Sequence, residues 1–168
     1  MIEVLRADIT TLAVDAIVNA ANVALAGGGG VDGAIHRAAG PALARASGAL
    51  APIEPGSAVL TPGFALPARY VVHAVGPVWH GGRDGEAALL ARAYHASFEV
   101  AWATGVVRSI ALPAISTGVY GYPKEEAAAI AVGVMRRHEP RFDRIIACAF
   151  DRETELLYSA ILADLEKQ

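Results

Sequence analysis

Short runs of apolar, often β-branched residues alternate along the chain with longer segments whose apolar residues recur at helical spacing. The short runs predict six strands: Ile2–Leu5, Ala16–Asn19, Ala58–Thr61, Tyr70–Ala74, Ser109–Leu112 and Arg144–Phe150. The longer segments predict five helices: Asp32–Ala39, Pro41–Ala49, Glu86–Thr104, Lys124–His138 and Thr154–Glu166. Strands that alternate with helices in this way predict an α/β domain whose largely parallel sheet lies between helical layers.

The third predicted helix carries an apolar stripe at helical spacing, formed by Leu89, Leu90, Tyr94, Phe98 and Trp102. A stripe of this kind is typical of a helix that packs one face against a core. We therefore expect these side chains to be structural.

Length and hydropathy limit the classes of protein to be considered. With 168 residues, a single domain spanning 1–168 is expected. The longest uncharged run, Ala16–Val31, contains asparagines and four consecutive glycines, and it is shorter than the ~18 apolar residues of a membrane span. The acidic start Met1-Ile2-Glu3 does not look like a secretory signal. We expect a cytoplasmic monomer that does not enter a membrane.

Cysteine content and charge narrow the chemistry further. Cys148 is the only cysteine, which excludes an internal disulfide and a cysteine-based zinc site and favours a reducing compartment. Fourteen basic residues against 17 acidic ones give a net charge of −3, which argues against nucleic acid as a partner. One basic cluster, Arg136, Arg137, Arg141 and Arg144, leaves RNA binding as a remote alternative to a solvated face.

Two glycine loops occupy matching positions between a predicted strand and a predicted helix. The first runs from Asn19 through Gly27–Gly30 into the helix at Asp32, and the second spans Ser116–Pro123. Ligands of open α/β sheets lie at the carboxyl ends of the strands, where glycine amides and helix N-termini can hold anions. Neither loop contains Lys or Arg. Together the loops predict backbone binding of one diphosphate, although each loop alone is equally compatible with simple tight turns.

Familiar nucleotide-binding motifs do not fit these loops. Gly28-x-Gly30-x-x-Gly33, with Glu54 about twenty residues further on, formally matches the dinucleotide fingerprint. Its glycines do not follow the strand directly, however, and Glu54 lies in a proline-rich turn. No Gly-Lys-Ser/Thr triplet follows either loop. We therefore predict no cofactor.

Asp32 and His36 are four residues apart at the start of a predicted helix, so their side chains share one face. Asp32 has two compatible interpretations, as the helix N-cap or as a carboxylate that orients a water molecule. Ser116 lacks the Gly-x-Ser-x-Gly elbow of a nucleophile. The remaining histidines have no ligand spacing and predict structural or surface groups and no metal site: His73, His80, His95 and His138.

Six segments of the chain resemble the macrodomain family, and in particular its MacroD-type branch. They are VDAIVNAAN (14–22), GGGVDGAIH (28–36), LPA (66–68), VHAVGP (72–77), ISTGVYGYP (115–123) and FD (150–151). The segments extend over nearly the whole chain, and the combined pattern is far more specific than any one glycine motif.

The resemblance implies a three-layer α/β/α fold with a mixed, largely parallel central sheet and an ADP-ribose cleft over the strand ends. Members of this branch remove mono-ADP-ribose from acidic side chains of proteins and deacetylate O-acetyl-ADP-ribose, without a metal or cofactor. The implied partners are ADP-ribose and mono-ADP-ribosylated proteins. A module that binds ADP-ribose without hydrolysing it is the alternative.

The resemblance also assigns roles along the cleft. At the adenine end, Asp8 would accept from the adenine amino group beside Ile9, and Phe150 would pack on the ring. The diphosphate would be held by backbone amides of Gly30, Val31, Ser116, Thr117, Gly118, Val119 and Tyr120.

At the distal ribose, the resemblance implies the catalytic set Asn22, Asp32 and His36. Asn22 would bind the ribose, Asp32 would position the attacking water, and His36 would support the helix start. Tyr120 would pack against the ribose and Gly33 would leave room beside the scissile bond. Two departures from the family pattern, Ala7 and Pro55-Gly56-Ser57, affect the adenine end and a local loop.

Overall fold

The computed structural model describes residues Met1–Gln168, in which strands and helices alternate. The strands are β1 (Ile2–Arg6), β2 (Ala16–Ala21), β3 (Ala58–Pro62), β4 (Tyr70–Val75), β5 (Ser109–Leu112) and β6 (Arg144–Ala149). The helices are α1 (Gly30–Ala39), α2 (Pro41–Gly48), α3 (Glu86–Ala103), α4 (Lys124–His138) and α5 (Arg152–Glu166). Two single-turn 3-10 helices, Ile9–Thr11 and Glu139–Arg141, complete the structure.

The six strands form one sheet in the order β1-β6-β5-β2-β4-β3. All neighbouring pairs are parallel except β3 and β4, which are antiparallel. The expected mixed, largely parallel sheet is confirmed. The carboxyl ends of β1, β6, β5, β2 and β4 therefore lie along one edge, the edge at which ligands bind in sheets of this type.

Helices cover both faces of the sheet. Ile17 and Val71 pack with residues of α1 and α2 in the smaller core, whereas Val18 and Val72 pack with α3, α4 and α5 in the larger one. This alternation follows from the two-residue period of a strand, and it confirms the three-layer arrangement. None of the helices combines the length and the apolar character that crossing a membrane would require.

The stripe predicted on α3 is only partly core. Leu90, Tyr94 and Phe98 are fully buried, but Leu89 is half-buried and Trp102 remains 40% exposed. The stripe is broader than the surface that α3 presents to the sheet and α4, so its two edge positions reach solvent.

The interpretation of Asp32 as a helix cap is wrong. Helix α1 begins at Gly30, two residues earlier than predicted, and its N-cap is Gly29 in an extended conformation. The amide of Gly33 donates to the carbonyl oxygen of Gly29 in the first helical hydrogen bond. Asp32 therefore lies inside the first turn, and its carboxylate is free for other contacts.

Candidate active site

Loops after four parallel strands bring the predicted site residues to one edge of the sheet. Asp8 follows β1, Phe150 follows β6, the loop Ser116–Tyr120 follows β5, and Asn22 follows β2. Because these strands are neighbours in the order β1-β6-β5-β2, the line from Asp8 to Asn22 crosses three strand spacings, about 14 Å. The structure thus places the residues predicted to contact adenine, diphosphate and ribose along one edge of the sheet.

The loop after β2 is fastened by Asn22 and ends in a free helix N-terminus. Asn22 Nδ2 donates to the carbonyl oxygen of Gly27 at 2.9 Å, which fixes the start of the glycine run. The amides of Gly30, Val31 and Asp32 precede the first helical hydrogen bond and donate to no protein group. They are oriented to receive an anion at the positive end of α1.

The loop after β5 presents a second set of free amides. The backbone amides of Ser116–Tyr120 donate no hydrogen bond within the protein. The loop is instead held through its carbonyl groups, since Tyr122 N donates to Ser116 O at 2.9 Å and Trp79 N donates to Tyr120 O at 2.8 Å. Ser116 adopts a left-handed φ of 67°, unusual for a non-glycine residue and frequent at binding loops.

Tyr94 holds the base of the loop after β5 from below. Its buried hydroxyl donates to the carbonyl oxygen of Pro113 at 3.1 Å and accepts from the amide of Ile115 at 2.9 Å. Burial raises the pKa of Tyr94 to about 12, so the hydroxyl keeps its proton at neutral pH. The apolar stripe predicts the burial of Tyr94 correctly but gives no sign of this contact.

Asp32 is buried at the junction of the sheet and the glycine loop, with 5% of its surface exposed. Its Oδ1 accepts from Asn19 Nδ2 at 2.8 Å, and His36 Nε2 lies 3.3 Å from the same oxygen without the alignment of a hydrogen bond. Its Oδ2 has no protein partner and faces Gly28, where an added Cβ would lie 3.3 Å from this oxygen. Oδ2 is therefore the oxygen able to hold a water molecule at the glycine loop.

Buried polar atoms without a protein partner concentrate at this site. Five side-chain atoms are in this state, and four of them surround the two glycine loops: Asn19 Oδ1, Asn22 Oδ1, His36 Nε2 and Ser116 Oγ. Because an unpaired buried polar atom is costly, such a cluster is typical of a site that binds a polar ligand or ordered water.

Gly33 and Gly76 allow backbone segments of the site to approach one another closely. A Cβ on Gly33 would lie 2.4 Å from the carbonyl oxygen of Gly28, so the helix could not pack beneath its own loop. A Cβ on Gly76 would lie 2.2 Å from Ser116 Oγ. The structure therefore gives Gly33 an internal packing role, in addition to the role beside the scissile bond that the resemblance implies.

The predicted adenine end exposes a large aromatic side chain. Phe150 is 91% exposed, which leaves its ring available for stacking. Asp8 Oδ1 accepts from the amide and hydroxyl of Thr10, which caps the first 3-10 helix. The side chain of Ile9 is buried in the core under α1, so only the backbone of Ile9 can face a ligand.

Glu86 organises the loop that carries Trp79. Its carboxylate accepts from the amides of His80, Gly82 and Asp84 at 2.9, 2.8 and 2.6 Å. These hydrogen bonds lower the pKa of Glu86 to about 2, and the hydrogen bond from the His80 amide has the largest effect. Since Trp79 N holds Tyr120 O, Glu86 supports the loop after β5 from outside the cleft.

We expect Glu86→Gln to lower the melting temperature by roughly 2–6 °C at pH 7, because an amide cannot accept all three hydrogen bonds. The folded pKa of Glu86, about 2, lies below its ordinary value of 4.5. Its stabilisation is therefore complete above about pH 5 and is lost as pH falls towards 2. Calorimetric scans should show the difference from the wild type shrinking across that interval. Glu54→Gln, at an exposed carboxylate outside any helix, is the control and should change little; an undiminished difference at pH 2 would contradict this role.

The basic cluster lies at the surface and is mostly paired with carboxylates, whereas His73, His95 and His138 are buried or half-buried. Three of the four arginines pair with carboxylates: Arg136 with Glu139, Arg141 with Glu99 and Arg144 with Glu3. This pairing favours a solvated face over an RNA-binding surface. His95 Nδ1 and His138 Nε2 are 2.9 Å apart, and His73 is fully buried. No group of three or more metal-ligating side chains is present.

Comparison with known proteins identifies relatives over most of the chain. The family model described as Macro domain matches residues 18–131. A relative named O-acetyl-ADP-ribose deacetylase, from Klebsiella pneumoniae (strain 342), is 56% identical, and the alignment covers 96% of this chain and 95% of the relative.

Solved structures show the same fold with nucleotide ligands. The Oceanobacillus iheyensis macrodomain with ADP has a TM-score of 0.93 and 39% identity, covering 99% of this chain and 92% of that one. The Trypanosoma brucei macrodomain in complex with ADP-ribose has a TM-score of 0.88 and 40% identity, covering 96% of this chain and 68% of that one.

Proposed function

Because the chain belongs to the Macro domain family, we propose that it binds ADP-ribose and hydrolyses bonds at the distal ribose. Its substrates are O-acetyl-ADP-ribose, which it deacetylates, and proteins that carry mono-ADP-ribose on acidic side chains. The single observation that carries this proposal is the placement of Asp32, whose unpartnered Oδ2 faces Gly28 in a glycine loop that ends in free helix amides. A relative named O-acetyl-ADP-ribose deacetylase supports the first substrate.

In the proposed complex, the diphosphate lies between the two glycine loops. The amides of Gly30 and Val31 bind from one side, and those of Ser116–Tyr120 bind from the other, which replaces basic side chains with fixed backbone donors. Asp8 and Phe150 hold the adenine, with the backbone of Ile9 beside it. Preorganised donors of this kind stabilise charge without rearrangement during the reaction.

At the distal ribose, Asn22 binds a hydroxyl group through Oδ1, the atom that its contact with Gly27 leaves free. Tyr120 packs against the same ring. Asp32 Oδ2 orients a water molecule and accepts its proton during attack, and His36 supports the first turn of α1. Positioning and general-base assistance supply the rate gain.

The bond that breaks differs between two possible routes. Attack of water at the ester carbonyl carbon releases the ribose hydroxyl and places the water oxygen in the free carboxylate. Attack at the anomeric carbon of a modified protein releases the side-chain carboxylate and places the water oxygen in ADP-ribose.

Turnover in water enriched in oxygen-18 tests the proposal and separates the two routes. O-acetyl-ADP-ribose and a protein modified on glutamate should both yield free ADP-ribose. The label is expected in acetate from the first substrate, and its position in the second product identifies the bond attacked. If neither substrate is turned over, the proposed hydrolase activity is wrong. If only O-acetyl-ADP-ribose is turned over, modified proteins are excluded as substrates.

A binding module without hydrolysis is the second candidate. The free amides and exposed Phe150 fit this role equally well, because both features concern affinity. The combination of Asn22 and the buried Asp32 favours the enzyme, since a reader needs no carboxylate beside its ligand's reacting carbon.

A further inference from the structure

A row of buried polar side chains extends from Asp32 into the sheet, away from the cleft. Asn19 lies on β2, His73 on β4 and Thr61 on β3, and all three are at most 3% exposed. Asn19 Nδ2 donates to Asp32 Oδ1 at 2.8 Å and lies 3.3 Å from His73 Nδ1. His73 Nε2 lies 2.9 Å from Thr61 Oγ1. The row therefore links three strands to α1.

The sheet register explains how these residues meet. Asn19 and His73 are aligned partners in the parallel pair β2–β4, so both point towards α1. Val59 is the partner of His73 in the antiparallel pair β3–β4, and Thr61, two residues later, shares the same face. Neighbouring positions on this face are apolar, as Ile17 and Val71 are. Packing alone would accept apolar side chains in all three places.

The hydrogen-bond roles in the row follow from the Asp32 end, because a carboxylate only accepts whereas the Thr61 hydroxyl can accept or donate. Asp32 accepts, so Asn19 turns its NH₂ group towards it, and the second N–H of that group points to His73 Nδ1. Nδ1 must then be an acceptor, which leaves the proton on Nε2, where it is donated to Thr61 Oγ1. Burial lowers the pKa of His73 to about 4, so the ring stays neutral at physiological pH.

We propose that Asn19 is a positioning residue for Asp32 and that His73, as the Nε2–H tautomer that donates to Thr61, holds the Asn19 amide in the required orientation. The network binds Oδ1 and thereby keeps Oδ2 directed at the glycine loop. This inference rests on the proposed hydrolase function, in which Asp32 holds the attacking water. If the Asn19 amide were flipped, its oxygen would face the Asp32 carboxylate, and the hydrogen bond to Oδ1 would be lost.

Substitution of Asn19 separates positioning from binding. Asn19→Leu keeps the branched shape but removes the donor to Asp32. We expect kcat to fall about 10- to 100-fold, as misplacement of a reacting group does, while KM and ADP-ribose affinity change by less than about threefold. An unchanged kcat, or a loss confined to KM, would overturn the role of Asn19.

Two variants of His73 form a matched pair that a merely structural role would not distinguish. In His73→Asn, the amide oxygen replaces the Nδ1 acceptor facing Asn19, whereas His73→Gln replaces only the Nε2 donor facing Thr61. We expect His73→Asn to retain most of the wild-type kcat and His73→Gln to resemble Asn19→Leu. Equal kcat values for the two variants would contradict the proposed chain of contacts.

Further measurements keep the outcomes distinct. Nitrogen-15 spectra of the wild-type histidine rings should show the Nε2–H tautomer for His73, and an Nδ1–H tautomer would refute the network independently of activity. Melting curves verify that each variant is folded. If Asn19→Leu does not fold, the comparison of the two His73 variants tests the positioning role instead. Absence of turnover in the wild type rejects the proposed function, whereas normal turnover in both the wild type and Asn19→Leu rejects only the positioning role.

Discussion

Asp32→Ala is expected to reduce hydrolysis by about 10²- to 10⁴-fold, because it removes the group that orients and deprotonates the attacking water. Affinity for ADP-ribose should fall no more than about tenfold, since the free amides of both glycine loops are untouched and one hydrogen bond is at stake. Release of ADP-ribose from a modified protein measures the first quantity, and titration calorimetry with ADP-ribose measures the second.

Asp32→Asn provides a second, nearly isosteric variant. Its amide oxygen can still accept from Asn19, so the fold is preserved while the charge at Oδ2 is lost. We expect turnover close to that of Asp32→Ala. Asp143→Ala, at an exposed carboxylate beside the start of β6, is the control and should behave as the wild type. Wild-type turnover by either Asp32 variant would remove Asp32 from the mechanism.

Gly33→Ala should cause the largest loss of ligand binding, because the added Cβ would lie 2.4 Å from Gly28 O. A backbone carbonyl cannot turn away as a flexible side chain can, so the glycine loop must be displaced. We expect ADP-ribose affinity to fall about 100-fold or more as several amide contacts are lost together. The free energy of unfolding should fall by about 1–3 kcal/mol, as for other overpacked positions.

Gly133→Ala is the matched control for a glycine inside a helix. No atom outside its own helix backbone lies within 4 Å of its Cβ position, and alanine favours the helix by ~1 kcal/mol. This variant should keep its ligand affinity and gain slightly in stability by denaturant titration. Normal ADP-ribose affinity in Gly33→Ala would show that the close approach to Gly28 does not shape the binding loop.

Local sequence patterns predict the elements of the fold because its strands and helices follow simple periodicities. All six strands and five helices form within a few residues of their expected positions. Helix α1 begins before its expected start because glycine carries no helical signal, although Gly29 is the N-cap and Gly30 the first residue. Likewise, β6 ends at Ala149, which leaves Phe150 outside the sheet and exposed to solvent.

The parts of the candidate site whose residues are close in sequence can be predicted. The contacts between residues on different strands cannot, because the sheet brings them together. The glycine loops, Asn22 and Asp32 lie in continuous motifs. Asn19, by contrast, meets His73 only because β2 and β4 are neighbours, an order that no local pattern encodes. His73 carries no spacing signal, so the sequence alone indicates nothing beyond a structural histidine.

The net charge illustrates a related limit. A charge of −3 argues against nucleic acid binding, but it says little about one small dianion. The free amides of Gly30–Asp32 and of Ser116–Tyr120 make up the proposed anion site without a single Lys or Arg. The pattern of glycines indicates such a site, whereas the net charge of the chain gives no sign of it.

The most direct test of hydrolysis assisted by Asp32 follows ADP-ribose on a protein that is modified at one glutamate. After incubation with the wild-type chain, intact-protein mass spectrometry should show loss of the ADP-ribose mass and recovery of an unmodified glutamate, with free ADP-ribose in solution. A chain that binds the modified protein tightly but leaves its mass unchanged would be a reader, and the hydrolytic role of Asp32 would be wrong.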